Sequence, residues 1–116
     1  MSEETTKNNV LAACVGQGQV LGQLVEYAQD AVVSKTIVDK PVGTLTIFAF
    51  DKDQRLSEHT APYDAIVQIV DGTAKLTIGG NEVEVSVGEI IVMPANVPHS
   101  VDAKEKFKML LTMIRA

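Results

Sequence analysis

The chain has 116 residues, 46% of them hydrophobic and 22% charged, with 15 acidic against 10 basic side chains and a formal net charge of -5. That length suits one domain around one core and excludes two. The acidic balance, with no basic stripe, argues against a nucleic-acid partner. No apolar run reaches the roughly 18 residues of a helical membrane span, so the sequence reads as a soluble globular domain with no membrane partner. Its one cysteine, Cys14, excludes an internal disulfide and a thiolate metal cluster and makes the cytoplasm the expected compartment.

Residues Met1 to Asn9 (MSEETTKNN) are polar and read as a frayed end. Val10 to Val15 suits a short strand and a short helix equally well. Leu11, Ala12, Ala13 and Cys14 spell a lipobox, but the polar, acidic residues before them are not the basic and apolar leader that a lipoprotein signal requires. Cys14 reads instead as a small apolar residue. The stretch GQGQVLG from Gly16 to Gly22 looks like a dinucleotide-binding glycine loop, yet no βαβ unit accompanies it.

From Leu24 onward the apolar period is two, with Gly, Pro, Asp and Asn between the runs. Val32 to Val38 reads as a strand, and the turn Asp39 to Gly43 returns the chain into Thr44 to Phe50. Ala65 to Val70 ends on the Asp71-Gly72 turn signal. Ala74, Leu76 and Ile78 alternate with Lys75 and Thr77. Gly79, Gly80 and Asn81 make the next turn, and Val83, Val85 and Val87 alternate with Glu82, Glu84 and Ser86. Ile90 to Met93 is apolar on both faces, and Phe107 to Ile114 is a last strand with Phe107, Met109, Leu111 and Met113 on one side. Lys104, Lys106 and Lys108, interleaved with Glu105, read as a solvated loop running into it. Many short antiparallel strands with no helix to cover a sheet predict an all-β jelly roll or small barrel.

The two histidines, His59 and His99, stand in segments that resemble the two motifs of the cupin superfamily. The first motif is Gly, five residues, His-x-His, three or four residues, Glu, six residues, Gly. Laid on DQRLSEHTAPYDAIVQIVDG it matches at His59 and Gly72 and departs at Asp53, Ala61 and Ala65. The second is Gly, five residues, Pro-x-Gly, two residues, His, three residues, Asn. Laid on GEIIVMPANVPHSVDA it matches at Gly88, Pro94 and His99 and departs at Asn96 and Ala103. Residues Thr73 to Val87 separate the two, a spacing typical of the smallest single-domain cupins. The resemblance implies an antiparallel cupin β-barrel over residues 24–116, preceded by an N-terminal extension, residues 1–23, that is partly disordered or contacts a second copy. Asn96 tolerates the left-handed backbone that the family's glycine adopts, so the loop it occupies should persist.

Cupins typically hold one transition metal with three His and a Glu, and only two of those four ligands, His59 and His99, survive here. The resemblance therefore makes one divalent metal (Zn, Ni, Fe or Mn), held by His59 and His99, an optional occupant and no cofactor a certain one. If the strand stays regular, His59, Ala61 and Ala65 share one face while Glu58 and Thr60 point away. A bulge at Pro62 would change that parity and bring Asp64 or Tyr63 inward in place of the missing carboxylate.

Replacing a His and a Glu by Ala widens the barrel mouth and makes it more apolar, which favours a ligand pocket. The expected lining is His59, His99, Phe48, Phe50, Ala61, Ala65, Val67, Met93 and Met109, with the imidazoles as its convergent polar groups. The functional expectation is small-molecule binding with metal optional. The alternative is a metal-dependent oxygenase, isomerase or lyase using His59 and His99 as ligands, and no catalytic residue is assigned. Small cupins are commonly dimers, and Val10 to Val25 is the expected contact of a homodimer.

Overall fold

The computed structural model describes residues 10–115; the polar end expected over residues 1–9 lies outside the described residues. The described residues form nine strands, seven of them over runs expected from the sequence: β1 (Val32–Lys40), β2 (Gly43–Phe50), β3 (Arg55–His59), β4 (Ala65–Asp71), β5 (Thr73–Ile78), β6 (Asn81–Ser86), β7 (Ile90–Met93), β8 (His99–Asp102) and β9 (Phe107–Ile114). All pairings are antiparallel. They build a five-stranded sheet in the order β1-β2-β9-β4-β7 and a four-stranded sheet in the order β3-β8-β5-β6. This is the all-β, jelly-roll class that the period of two predicts. No described helix is long and apolar enough to cross a membrane.

The core lies where the inner faces of the two sheets meet. Phe50, Val67, Phe107 and Met109 from one sheet pack with Leu76 and Val101 from the other. Phe50 and Phe107 are register partners, both fully buried, and their rings stack with centroids 4.5 Å apart and 11° between planes. Alternation then sends Leu45, Ile47 and Ala49 of β2 to the outer face of the five-stranded sheet.

Part of that outer face is covered by the segment ahead of β1. Residues 10–14 are helical, Leu21–Gln23 is a 3-10 turn, and no strand occurs before Val32 among the described residues. Val10 to Val25 is therefore helical and irregular, and the period of two begins at Val32 rather than Leu24. Val25 is fully buried against Ile37, Ile47, Ala49 and Leu110, a burial that stabilises by about 1.5–3 kcal/mol. Polar contacts fasten this strap. The Tyr27 hydroxyl donates to Asp71 Oδ2 at 2.7 Å, Lys108 Nζ donates to the Gly22 carbonyl at 2.5 Å, and the Asp30 amide donates to Asp51 Oδ2 at 2.7 Å. Lys106 and Lys108 both hold their ammonium groups within 5 Å of the Tyr27 ring, at 4.9 and 4.8 Å. Burial, reinforced by the bond to Asp71, raises the Tyr27 pKa.

Four turns fix the ends of the strands that matter for the histidines. Asp53, Gly72, Gly88 and Asn96 all have positive φ, at 69°, 74°, 88° and 64°. At Gly72 a β-carbon would stand 2.6 Å from the Lys106 carbonyl oxygen, so only glycine fits there. At the other two non-glycine positions the chain uses Asp and Asn, the L-residues that enter the left-handed region at least cost. The expected persistence of the Asn96 turn is what the backbone shows.

Candidate functional site

Neither strand that carries a histidine has an alternating pattern, and both were absent from the strands expected of the sequence. β3 (RLSEH) ends on His59 and β8 (HSVD) begins on His99. The two histidines are register partners. Leu56 pairs with Val101, and three steps along β3 then match two along β8 before His59 meets His99. One residue is therefore bulged out of β3. Leu56 and Val101 belong to the core, and the extra residue gives His59 the same inward parity. A regular strand would have set Glu58 opposite His99 and turned His59 outward. The bulge lies ahead of His59, not at Pro62. The shared face expected for His59, Ala61 and Ala65 does not arise from one strand, because residues 60–64 are a loop and Ala65 opens β4.

The rings meet edge to face, with centroids 4.4 Å apart, 70° between planes and Nε2 atoms 3.2 Å apart. His99 is buried, at 4% exposure, while His59 is exposed. Each Nδ1 lies on the carbonyl two residues earlier in its own chain, His59 on Ser57 at 2.8 Å and His99 on Val97 at 3.1 Å. A carbonyl only accepts, so both Nδ1 atoms carry hydrogen and a neutral ring presents an Nε2 lone pair. Two lone pairs facing at 3.2 Å call for something electropositive: one shared proton, a hydrogen-bond donor or a cation. Burial, with a smaller contribution from His59, holds the His99 pKa below its ordinary value of 6.5, against the opposing Val97 bond.

The loops flanking the pair are tied to one another. The Asn96 amide donates to the Ala61 carbonyl at 2.7 Å, the Ala95 amide to Asp64 Oδ1 at 2.8 Å, and the Gly79 amide to the Pro98 carbonyl at 2.8 Å. Asp64 is thus engaged in holding the loop that delivers His99. Tyr63 is half-buried in the same loop.

Of the other residues expected at the site, Phe50, Ala65, Val67, Met93 and Met109 lie in the inter-sheet core, and Phe48 packs against it. Ala61 stands apart from that cluster, half-buried in the loop. Sequence reasoning missed Ile78, which pairs with His99 on β5 and continues the histidine row across the four-stranded sheet. It also missed the Ser57 and Val97 carbonyls that set the tautomers. The signal for Ile78 was its place at the end of an alternating strand; backbone carbonyls leave no signal in a sequence.

The Cupin domain family matches residues 46–115, a span that contains both histidines. A conserved protein of unknown function from Streptococcus pyogenes shares 38% identity, with 86% of this chain and 88% of that one covered and a TM-score of 0.83. The chain belongs to the cupin family. A cupin 2 conserved barrel domain protein from Leptotrichia buccalis shares 42% identity over 80% of this chain at a TM-score of 0.78, and this chain spans only 45% of its length. A cupin superfamily protein from Desulfitobacterium hafniense, 22% identical, covers 86% of this chain and 92% of its own at a TM-score of 0.82, a likeness of fold. No curated protein matches the chain.

Among cupins this chain's departures fall into two kinds. Asp53 and Asn96 replace motif glycines and keep the left-handed backbone. Ala61 and Ala65 replace the His and Glu that carry the family's metal chemistry, and Ala65 is buried at 1% exposure; Ala103, buried at 3%, replaces the asparagine that closes the second motif. The fold family implies a metal site at these positions. A separation of 3.2 Å is what two nitrogens each about 2.1 Å from one ion would span. No group of three or more His, Cys, Asp or Glu able to hold an ion stands together among the described residues. The donor set offers a two-nitrogen bite and does not fit the three- or four-ligand centre of a metal cupin.

Proposed function

We propose that this cupin binds a small molecule whose polar end donates hydrogen bonds to His59 and His99. The carrying observation is the convergence of two Nε2 atoms at 3.2 Å while both Nδ1 atoms are occupied by carbonyls. A hydroxyl or amine placed against both lone pairs relieves their repulsion, and the apolar body of the ligand would lie toward Ile78 and the inner-face residues. Ala61 and Ala65, where a metal cupin carries ligands, favour an apolar wall over a coordination shell. The lone cysteine supports a reducing compartment, the cytoplasm.

The test is a thermal-shift screen of hydroxyl- and amine-bearing small molecules against the wild type and the His59→Ala variant. A compound that raises the wild-type melting temperature and leaves the variant unmoved is the expected result. If no such compound raises the wild type alone, the reading fails.

The width of the nitrogen bite supports a second reading, a metal-dependent enzyme with His59 and His99 as ligands. Elemental analysis of tag-free protein separates the two. One stoichiometric transition metal, lost in both His59→Ala and His99→Ala, would replace the first reading with the second.

A further inference from the structure

We infer, resting on the reading of the histidine pair as a small-molecule site, that Asn81 grips the far end of the same ligand, an elongated and uncharged molecule with a hydroxyl or amine at one end and an amide or similar carbonyl group at the other. The register of the four-stranded sheet runs His59, His99, Ile78 and Asn81 in one row from β3 to β6. Alternation sets Asn81 on the same face as Val83, which packs against the inter-sheet core, and Val85, which lies in it. The other register positions on that inner face, Leu56, Val101, Leu76, Val83, Ala74 and Val85, are all apolar. Its polar side chains, His59, His99 and Asn81, thus stand together in a single row, with the half-buried Ile78 as an apolar floor between them.

The hairpin between β5 and β6 does not account for the asparagine. Both of its turn residues with positive φ are glycines, Gly79 at 57° and Gly80 at 84°, so Asn81 enters β6 in extended backbone, a setting that strands seldom give to asparagine. Its carboxamide has no hydrogen-bond partner among the described residues and offers both a donor and an acceptor. The hairpin is nonetheless fixed relative to His99. The Gly79 amide donates to the Pro98 carbonyl at 2.8 Å, and a β-carbon at Gly79 would stand 3.3 Å from Val97 Cγ1. Nearby charges turn the other way: Glu82 and Glu84 alternate to the outer face, 3.0 Å from Lys75 and 4.0 Å from Lys104 respectively. A row without a formal charge complements a neutral ligand. Two strand spacings, about 10 Å, separate the backbones of His99 and Asn81, which sets the length of molecule that reaches both ends.

The experiment titrates the full chain with linear ω-hydroxy amides of increasing length and with the matching 1-alkanols, following backbone amide shifts by NMR. It compares the wild type with His59→Ala and Asn81→Ala, and circular dichroism melts check that each is folded. In the wild type the amide end should tighten binding over the alkanol by about three- to tenfold, the worth of one neutral hydrogen bond, at lengths that span the row and not at shorter ones. That gain should vanish in Asn81→Ala, which binds the alkanols at least as well as the wild type does, whereas His59→Ala weakens both series. Alkanols that bind through His59 with no gain from the amide end at any length overturn the proposal and leave the histidine site standing. So does a gain that survives in folded Asn81→Ala. If neither series binds the wild type in a His59-dependent way, the histidine reading falls and the role of Asn81 falls with it. Should Asn81→Ala fail to fold, the length profile of the wild type decides: a gain confined to spanning lengths supports the second contact, and one that is absent or indifferent to length removes it.

Discussion

His59 faces His99 because one residue is bulged out of β3 between Leu56 and His59, so the side chain set opposite His99 is the imidazole of His59 and not the carboxylate of Glu58. Deleting Glu58 removes the extra residue and leaves His59 in register with His99. The variant should fold, and a ring-to-ring nuclear Overhauser contact between the histidines should persist. Loss of that contact in a folded variant would show that the bulge shapes the pair in some way beyond register.

Burial of His99 gives stability a sign with pH. Its folded pKa lies below 6.5, the value of the free side chain. Between the two values the unfolded chain binds a proton that the folded chain does not, so stability rises with pH across that window. The contribution is present above about pH 6.5 and is lost as the pH falls through the depressed folded value. Urea midpoints for the wild type at pH 7.5, 6.5 and 5.5 should fall more steeply than those of His99→Asn. The difference is bounded by one proton, about 1.4 kcal/mol per pH unit. Parallel slopes would remove the argument.

Asn96 is exposed, has φ of 64° and contributes its backbone amide, not its side chain, to the bond with Ala61. Asn96→Gly should leave stability within about 0.5 kcal/mol, relief of strain offsetting the added freedom of the unfolded chain. Asn96→Val should cost about 1–3 kcal/mol, because a β-branched residue resists the left-handed region. Chemical denaturation of the pair reads the contrast, and equal losses would refute it.

Restoring the missing ligands tests whether Ala61 and Ala65 are what separates this chain from metal cupins. Ala61→His with Ala65→Glu places a carboxyl at a site of 1% exposure. In the presence of a chelator the double variant should lose about 2–5 kcal/mol. Added zinc or manganese should recover much of that loss and raise the melting temperature far more than in the wild type. An identical response of the two proteins would mean that these positions do not control metal affinity.

The strap is held by contacts that can be removed one at a time. Tyr27→Phe deletes the 2.7 Å bond to Asp71 and should cost about 1 kcal/mol. Amide exchange should quicken over residues 22–28 and stay unchanged in β4 and β9. Uniform acceleration across the chain would show that the strap unfolds only with the whole domain.

The strands were legible where one face is buried and the other solvated. Phe107 to Ile114 and Ala65 to Val70 show that division residue by residue, because sheet pleat converts burial into alternation. RLSEH and HSVD were not legible as strands. The first holds one inward apolar residue before its bulge, and the second is too short to display a period. Val10 to Val15 stayed open between helix and strand because its apolar residues suit either periodicity. The two histidines could be found as a pair from motif spacing. Their separation, their tautomers and the engagement of Asp64 with Ala95 depend on backbone groups from three loops, which sequence letters do not record.

Asp53, Gly72, Gly88 and Asn96 share one backbone state though only two of them are glycine. Searches that demand glycine at all four places penalise a chain like this one twice for substitutions that leave the turns intact. They weigh those mismatches equally with Ala61 and Ala65, where the chemistry has changed. Patterns written in backbone angle, accepting Gly, Asn or Asp wherever φ is positive, would gather such chains on their fold and leave the ligand positions to sort them by activity.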